Sequence, residues 1–192
     1  MTKFVVNVQE PTPIEQQREK EREKYEWLAR NRESYGASFH GRAAIDLVLA
    51  FKPQLVIDLG CGRNQFVDEL RRRRVDALGV DFVYPEAQIQ APMHKTGLIG
   101  GTADVVTAFD ALEHVLPEDV PRVLREAKRL ARPGGWFVFS IATRPSKITV
   151  KGENLHPTVR DLGWWVREIS KVGVVEQRRA AGRYIQGRFT RS

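Results

Sequence analysis

The sequence predicts an α/β domain built on a doubly wound, mostly parallel sheet, and three observations predict it. Short apolar runs, Leu55–Leu59, Ala77–Val80, Asp104–Phe109 and Trp136–Ala142, alternate with stretches whose apolar residues recur at helical spacing. Turn residues such as Gly60 and Pro133-Gly134-Gly135 separate them. Two final strand-like stretches, 174–179 and 183–190, flank Ala180-Ala181-Gly182 and predict an antiparallel hairpin at the sheet edge.

Composition bounds this reading. The chain has 192 residues, suiting one domain, and 42% are hydrophobic, enough to bury a core. Cys61 is the single cysteine, which excludes an intramolecular disulfide scaffold and a zinc site built from cysteines. No apolar run approaches the roughly 20 residues of a membrane span, and MTKFVVNVQEPTP lacks the long apolar stretch of a signal peptide. The expectation is therefore a cytoplasmic protein without a membrane partner. Thirty-one basic residues against 24 acidic give a formal charge of +7, which favours acidic partners without establishing them. The excess gathers at Arg71–Arg74 and at Arg178, Arg179, Arg183, Arg188 and Arg191. The latter group makes nucleic acid a candidate partner through the basic C-terminus.

The elements follow in order. Residues 1–13 read as a tail, and Ile14–Asn31 as a charged helix anchored by Tyr25, Trp27 and Leu28. Ser38 is a candidate cap for a helix to Phe51, with Ala44, Ile45, Val48 and Leu49 inward and Pro53 ending it. Residues 1–51 thus form a tail and helical segment, and 52–192 one folding unit. Within that unit, Gln65–Arg74 reads as a helix with Phe66, Val67 and Leu70 inward. Glu118–Ala131 reads as another, with Val120, Val123, Leu124, Ala127 and Leu130 inward. Thr158 opens a last helix, with Asp161 completing a weak capping box and Leu162, Trp165, Val166 and Ile169 inward. In such sheets ligands bind beyond the carboxyl ends of the strands, so functional residues are sought there.

After the first strand come Gly60 and Gly62, which permit a tight turn and close backbone approach to a ligand, although a purely structural turn has the same look. Asp81 ends the second strand, 21 residues after Gly60. An acid there accepts hydrogen bonds from ribose hydroxyls; the alternative is a cap or turn residue.

At these residues the sequence resembles a family. Val56-Ile57-Asp58-Leu59-Gly60-Cys61-Gly62 resembles the first motif of class I S-adenosylmethionine-dependent methyltransferases, and Gly79-Val80-Asp81 their ribose-binding acid. Asp104–Val115, ending in Leu112-Glu113-His114-Val115, resembles the fourth strand and its Leu-Glu-His signature. Arg132-Pro133-Gly134-Gly135 resembles the turn into the fifth strand. The likeness covers about residues 52–180. It implies a Rossmann-like, seven-stranded sheet with an N-terminal helical lid and S-adenosylmethionine as cofactor, released as S-adenosylhomocysteine. It also implies roles: Gly60, Cys61 and Gly62 along the methionine end with Asp58 beneath, Asp81 on the ribose, Phe82 against the adenine, and Phe109 and Asp110 bordering the sulfonium. Two positions depart from the pattern. Asn64 replaces the third glycine, though asparagine tolerates left-handed backbone. Pro92 replaces the usual acid near adenine, which leaves that role to backbone and Met93. The stretch from Asp81 to Ala91 is too short for the usual second helix.

His114, His156 and Glu113 are the candidate catalytic residues, all after strands and facing the carboxyl edge; either histidine also suits a plain structural role. Asp110, Glu113, His114 and His156 are a less favoured metal quartet, similar to that of methyltransferases acting on the 3′-terminal 2′-hydroxyl of small RNAs. Resemblance to DNA amino-methyltransferases is poor without an Asp/Asn-Pro-Pro-aromatic segment, and Cys61 in the cofactor loop leaves no nucleophile for attack on a pyrimidine carbon. The expected acceptor is a hydroxyl or amine on a small or polar, anionic or neutral molecule. The alternatives are a metal-assisted RNA or nucleotide O-methyltransferase and a catalytically silent binding subunit.

Overall fold

A computed structural model describes residues 10–36, 38–176 and 184–189. Its main sheet has seven strands in the order β3-β2-β1-β4-β5-β9-β8. These are β1 (Leu55–Leu59), β2 (Asp76–Asp81), β3 (Ile89–Gln90), β4 (Ala103–Phe109), β5 (Ala131–Ser140), β8 (Gly173–Glu176) and β9 (Tyr184–Phe189). The first five pair in parallel, and β9 runs antiparallel between β5 and β8. The doubly wound sheet and its antiparallel hairpin are as expected; the turn of that hairpin, with Arg178, Arg179 and Arg183, and also Arg191, lie outside the described residues. A small separate hairpin joins β6 (Thr149–Val150) to β7 (Glu153–Asn154).

Alternating residues of the central strands feed two cores, as a sheet covered on both faces requires. Ile57, Val106 and Phe137 pack with α4 (Val120–Leu130) and α5 (Leu162–Ser170). Val56, Val105 and Val138 pack with α2 (Ile45–Ala50) and α3 (Gln65–Arg72). The five inward residues foreseen for α4 are all buried. No described helix is long and apolar enough to cross a membrane.

Several boundaries differ from expectation, each for a local reason. Ser38 does not open a helix. Gly41 is left-handed (φ 80°) and starts a 3₁₀ turn, Arg42–Ala44, so α2 begins only at Ile45, and Leu49 is only partly buried. Arg74 is left-handed (φ 64°) and ends α3 two residues early. β5 stops at Ser140, because Ile141 and Ala142 leave the sheet and the Ala142 amide donates to Glu113 Oε1 at 3.0 Å. Asp161, not Thr158, caps α5, accepting from the Trp164 amide at 2.7 Å. Leu162 is 44% exposed rather than inward. Thr158 is instead buried, its amide donating to Glu113 O and its hydroxyl to Val115 O.

No helix separates β2 from β3, in line with the shortened connection. Asp81 Oδ1 accepts from the amides of Val83 (2.9 Å) and Tyr84 (3.3 Å), a side-chain-closed turn that takes the helix's place. At the other end of the chain, α1 (Pro13–Asn31) starts with a full capping box between Thr12 and Glu15. Its anchor is Leu28, fully buried against Val150 and Leu155, while Trp27 is 39% exposed and not the anchor expected.

Candidate active site

Strand register sets the site. Leu59 pairs with Val80 and Phe109 with Ser140, so Gly60, Asp81, Asp110 and Ile141 stand level at the carboxyl edge. A cavity of about 950 Å³ opens there, with α1 forming part of its wall. That volume lies at the upper end of the range for ligand sites. All nine residues expected at the cofactor, Asp58, Gly60, Cys61, Gly62, Asp81, Phe82, Met93, Phe109 and Asp110, line it. So do Glu113, His114 and His156.

The loop after β1 is wound through left-handed backbone at Gly60 (φ 73°), Gly62 (φ 54°) and Asn64 (φ 67°). Asn64 thus adopts the backbone that the replaced glycine would have supplied. Its buried Oδ1 has no partner among the described residues and lies where a Cβ on Gly79 would sit. Asp81 Oδ2 accepts from the Gly62 amide at 3.1 Å, tying the two strand ends together. Burial raises the Asp81 pKa against the pull of its backbone amide donors. Asp58 sits opposite Thr107 in the register and accepts its hydroxyl at 2.6 Å. Full burial still pushes Asp58 to about 7. Burial likewise pushes the Cys61 thiol far up, so it is no nucleophile.

Phe109 differs from expectation in part. Its ring packs on Phe66 at 4.8 Å and fills the space beside Gly41, so the side chain belongs to the core beneath the site. Asp110 adopts φ 46°, a strained conformation for a residue with a side chain. Its carboxylate is held in place: Oδ2 meets His40 Nδ1 at 2.6 Å, and Oδ1 accepts from the Ser140 hydroxyl at 3.0 Å.

Glu113, His114 and His156 converge, with one ligand-type atom from each lying within 4.8 Å of the others. Asp110 is not in this group, because His40 and Ser140 hold it; the expected quartet becomes a trio. Each member is fixed from behind. Glu113 Oε1 takes the Ala142 amide, which leaves Oε2 buried and unpartnered among the described residues. Burial raises this carboxyl to about 7. His156 Nδ1 lies 2.7 Å from Arg144 O, a carbonyl that can only accept, so this nitrogen carries the proton. His114 Nδ1 lies 2.9 Å from Leu155 O and 2.7 Å from the Tyr25 hydroxyl, which itself donates to Leu155 O at 2.9 Å. All three contacts are attractive only if Nδ1 carries the proton. Nε2 of both histidines is then a bare lone pair. Burial, with His156 adding, lowers His114 to about 4, so it is neutral at physiological pH.

Two site residues escaped the sequence reading. His40 precedes every strand and is 70 positions from its partner Asp110; nothing local pairs them. Tyr25 has helical spacing that marks it as a packing residue, yet its hydroxyl orients His114 and its ring meets Phe82 edge-on at 5.9 Å.

The profile described as a methyltransferase domain matches residues 28–179. The chain belongs to the methyltransferase-domain family. Its strand order is that of the class I S-adenosylmethionine-dependent fold. Among curated relatives, a ubiquinone biosynthesis O-methyltransferase of Paracidovorax citrulli is 28% identical over 123 residues, covering 54% of this chain and 50% of that protein. The Yersinia pestis enzyme of the same name is 29% identical over 157 residues, covering 69% and 64%. The chain thus spans about half the length of several curated relatives it matches. Among solved structures, Burkholderia thailandensis 1,6-didemethyltoxoflavin-N1-methyltransferase, bound to 1,6-didemethyltoxoflavin and S-adenosylhomocysteine, superposes with a TM-score of 0.72. It has 17% identity over 97% of this chain and 94% of that one. The [4+2]-cyclase SpnF superposes at 0.63, with 14% identity over 81% and 72%. The methyltransferase domain therefore shares its fold with proteins of different named activity, and the acceptor has to be argued from the site.

Proposed function

We propose that this chain transfers the methyl group of S-adenosylmethionine to a hydroxyl of a small polar acceptor, with an amine as the alternative atom. One observation carries the reading: the cofactor-type residues and the Glu113–His114–His156 cluster line a single cavity. The chain's own residues fit the cofactor. The left-handed loop at Gly60 and Gly62 exposes backbone for close approach, Asp81 stands at the strand end where ribose hydroxyls would meet it, and Phe82 and Met93 supply apolar wall. The cofactor supplies an electrophilic methyl on a sulfonium. The protein's task is to hold an acceptor in line and take its proton. Glu113 suits the proton role best: Oε2 is unpaired, and a pKa near 7 leaves it substantially ionised at neutral pH yet basic enough to act. His114, near 4, is the poorer base and acts by accepting a hydrogen bond at Nε2. The name O-methyltransferase on the curated relatives supports oxygen over nitrogen. The proposed compartment is the cytoplasm, supported by the lone cysteine.

Calorimetric titration with S-adenosylhomocysteine, with NAD as control, tests the cofactor: micromolar binding of the first alone is expected. Glu113→Gln should keep that affinity and lower turnover by roughly 10²–10⁴-fold, the span of general-base contributions. Retained turnover assigns the proton to another group.

A second reading rests on the trio itself. Two imidazole lone pairs and a carboxylate oxygen with no donor between them suit a divalent cation, which Glu113, His114 and His156 would hold and which would acidify an acceptor hydroxyl. Direct titration with Mg²⁺, Mn²⁺ and Zn²⁺ tests it. Absence of binding, or activity unchanged after dialysis against chelator, removes it.

A further inference from the structure

The charges lining the cavity are matched almost everywhere. On α1, Arg18 forks onto Asp119 with two bonds of 2.7 Å, Glu26 holds Arg22 and Arg30, and Glu21 holds Lys24. At the cofactor end, Thr107 occupies Asp58, backbone amides occupy Asp81, and His40 and Ser140 occupy Asp110. Arg144 and Lys147 differ. Both line the cavity, both are exposed, and neither side chain has an ion pair among the described residues.

The segment carrying them is held firmly. Asn154 accepts from the amides of Ser146 and His156 (both 2.9 Å) and donates to Ser146 O (2.9 Å), clamping the segment to the β6–β7 hairpin. The Ile148 amide donates to Ser146 Oγ at 3.0 Å, which orders that hydroxyl and leaves its proton to donate elsewhere. His156 Nδ1 donates to Arg144 O at 2.7 Å, joining the segment to the proposed catalytic cluster. Arg144, Ser146 and Lys147 therefore present a guanidinium, a hydroxyl and an ammonium from one pinned arc beside His156. All three donate; an oxyanion is the group that satisfies such a set.

We propose that Arg144, Ser146 and Lys147 bind a carboxylate or phosphate on the acceptor and so orient its hydroxyl toward Glu113. This deepens, and rests on, the methyl-transfer reading above. The inner wall is acidic and the Arg144–Lys147 rim is basic. An acceptor with an anion at one end and a hydroxyl at the other enters such a field in one orientation. A neutral acceptor gains nothing from the rim.

The test uses the whole chain saturated with S-adenosylhomocysteine and three calorimetric probes at low ionic strength. These are 4-hydroxybenzoate, its methyl ester, and 4-hydroxyphenyl phosphate. At least one anion should bind tenfold or more tightly than the ester, and the stronger of the two identifies carboxylate or phosphate. The Arg144→Gln/Lys147→Gln double variant should lose that preference while S-adenosylhomocysteine and the ester bind as before. Equal binding of anions and ester, no binding of any probe, or a preference that survives in the double variant overturns the subsite. Failure to bind S-adenosylhomocysteine instead overturns the underlying reading.

Discussion

Asp58 and Asp81 lie on neighbouring strands under one loop, yet they are held by different means and do different work. Asp81 faces backbone amides at the strand end, and in the proposed complex its carboxylate exchanges some of these for ribose hydroxyls. Asp81→Ala removes two charge-assisted hydrogen bonds of about 1.5–3 kcal/mol each, so S-adenosylhomocysteine affinity should fall at least hundredfold by calorimetry. Unchanged affinity means the ribose lies elsewhere. Asp58 is buried, and the Thr107 hydroxyl that donates to it does not offset that burial. Its folded pKa, about 7, lies above the ordinary aspartate value of 3.8. The folded state therefore binds the extra proton, and this contribution is whole below about pH 4 and lost as pH rises through 7. Asp58→Asn keeps an acceptor for Thr107 and cannot ionise. Thermal unfolding of the unliganded protein should show the wild type losing stability relative to this variant between pH 4 and 7, by on the order of a few kcal/mol. Parallel pH profiles contradict that assignment.

At the scale of elements, α1 closes part of the cavity wall, and its hold on the body is mostly polar around one fully buried apolar residue. Leu28 packs on Val150 and Leu155, Arg18 forks onto Asp119, and Lys24 reaches Asn154 O at 3.2 Å. Leu28→Ala removes the one fully buried apolar contact, a loss of about 2–5 kcal/mol at core sites. Because α1 lies outside the two main cores, that loss should appear as local opening. Hydrogen exchange of amides in 16–31 should speed by tenfold or more, with β1 and β4 protection unchanged. Uniform acceleration across the sheet shows instead that the helix is part of the central core. The helix itself was legible in sequence from its charge-laced pattern, and its capping box bears that out. Its anchors were only partly legible: a helix stripe shows which residues share a face, but not that Trp27 sits at the edge of that face and Leu28 at its centre. Thr158 failed in a related way. Capping chemistry in sequence does not reveal that tertiary partners, the carbonyls of Glu113 and Val115, have claimed the amide and the hydroxyl.

Across the whole molecule, what sequence revealed follows chain order, and what it missed runs across it. Parallel strands read as apolar runs because they are buried on both faces, and the residues at and just after their carboxyl ends must share an edge; hence Gly60, Asp81 and Glu113 could be placed at that edge from the sequence. The His40–Asp110 and Tyr25–His114 pairs join the N-terminal segment to the strand-4 loop, and no periodicity encodes such meetings. Those pairs bear on cooperativity, since they join the segment before residue 52 to the sheet through the cavity itself. A ligand seated between them should stabilise both parts together. At one hundred times its dissociation constant, S-adenosylhomocysteine adds about 2.7 kcal/mol by mass action. For a chain of this size that raises the unfolding midpoint by roughly 5–10 °C. One calorimetric transition, moving as a unit, is expected with and without ligand. A separate early transition that ligand abolishes shows that α1 docks as its own unit and belongs to ligand capture rather than to the fold.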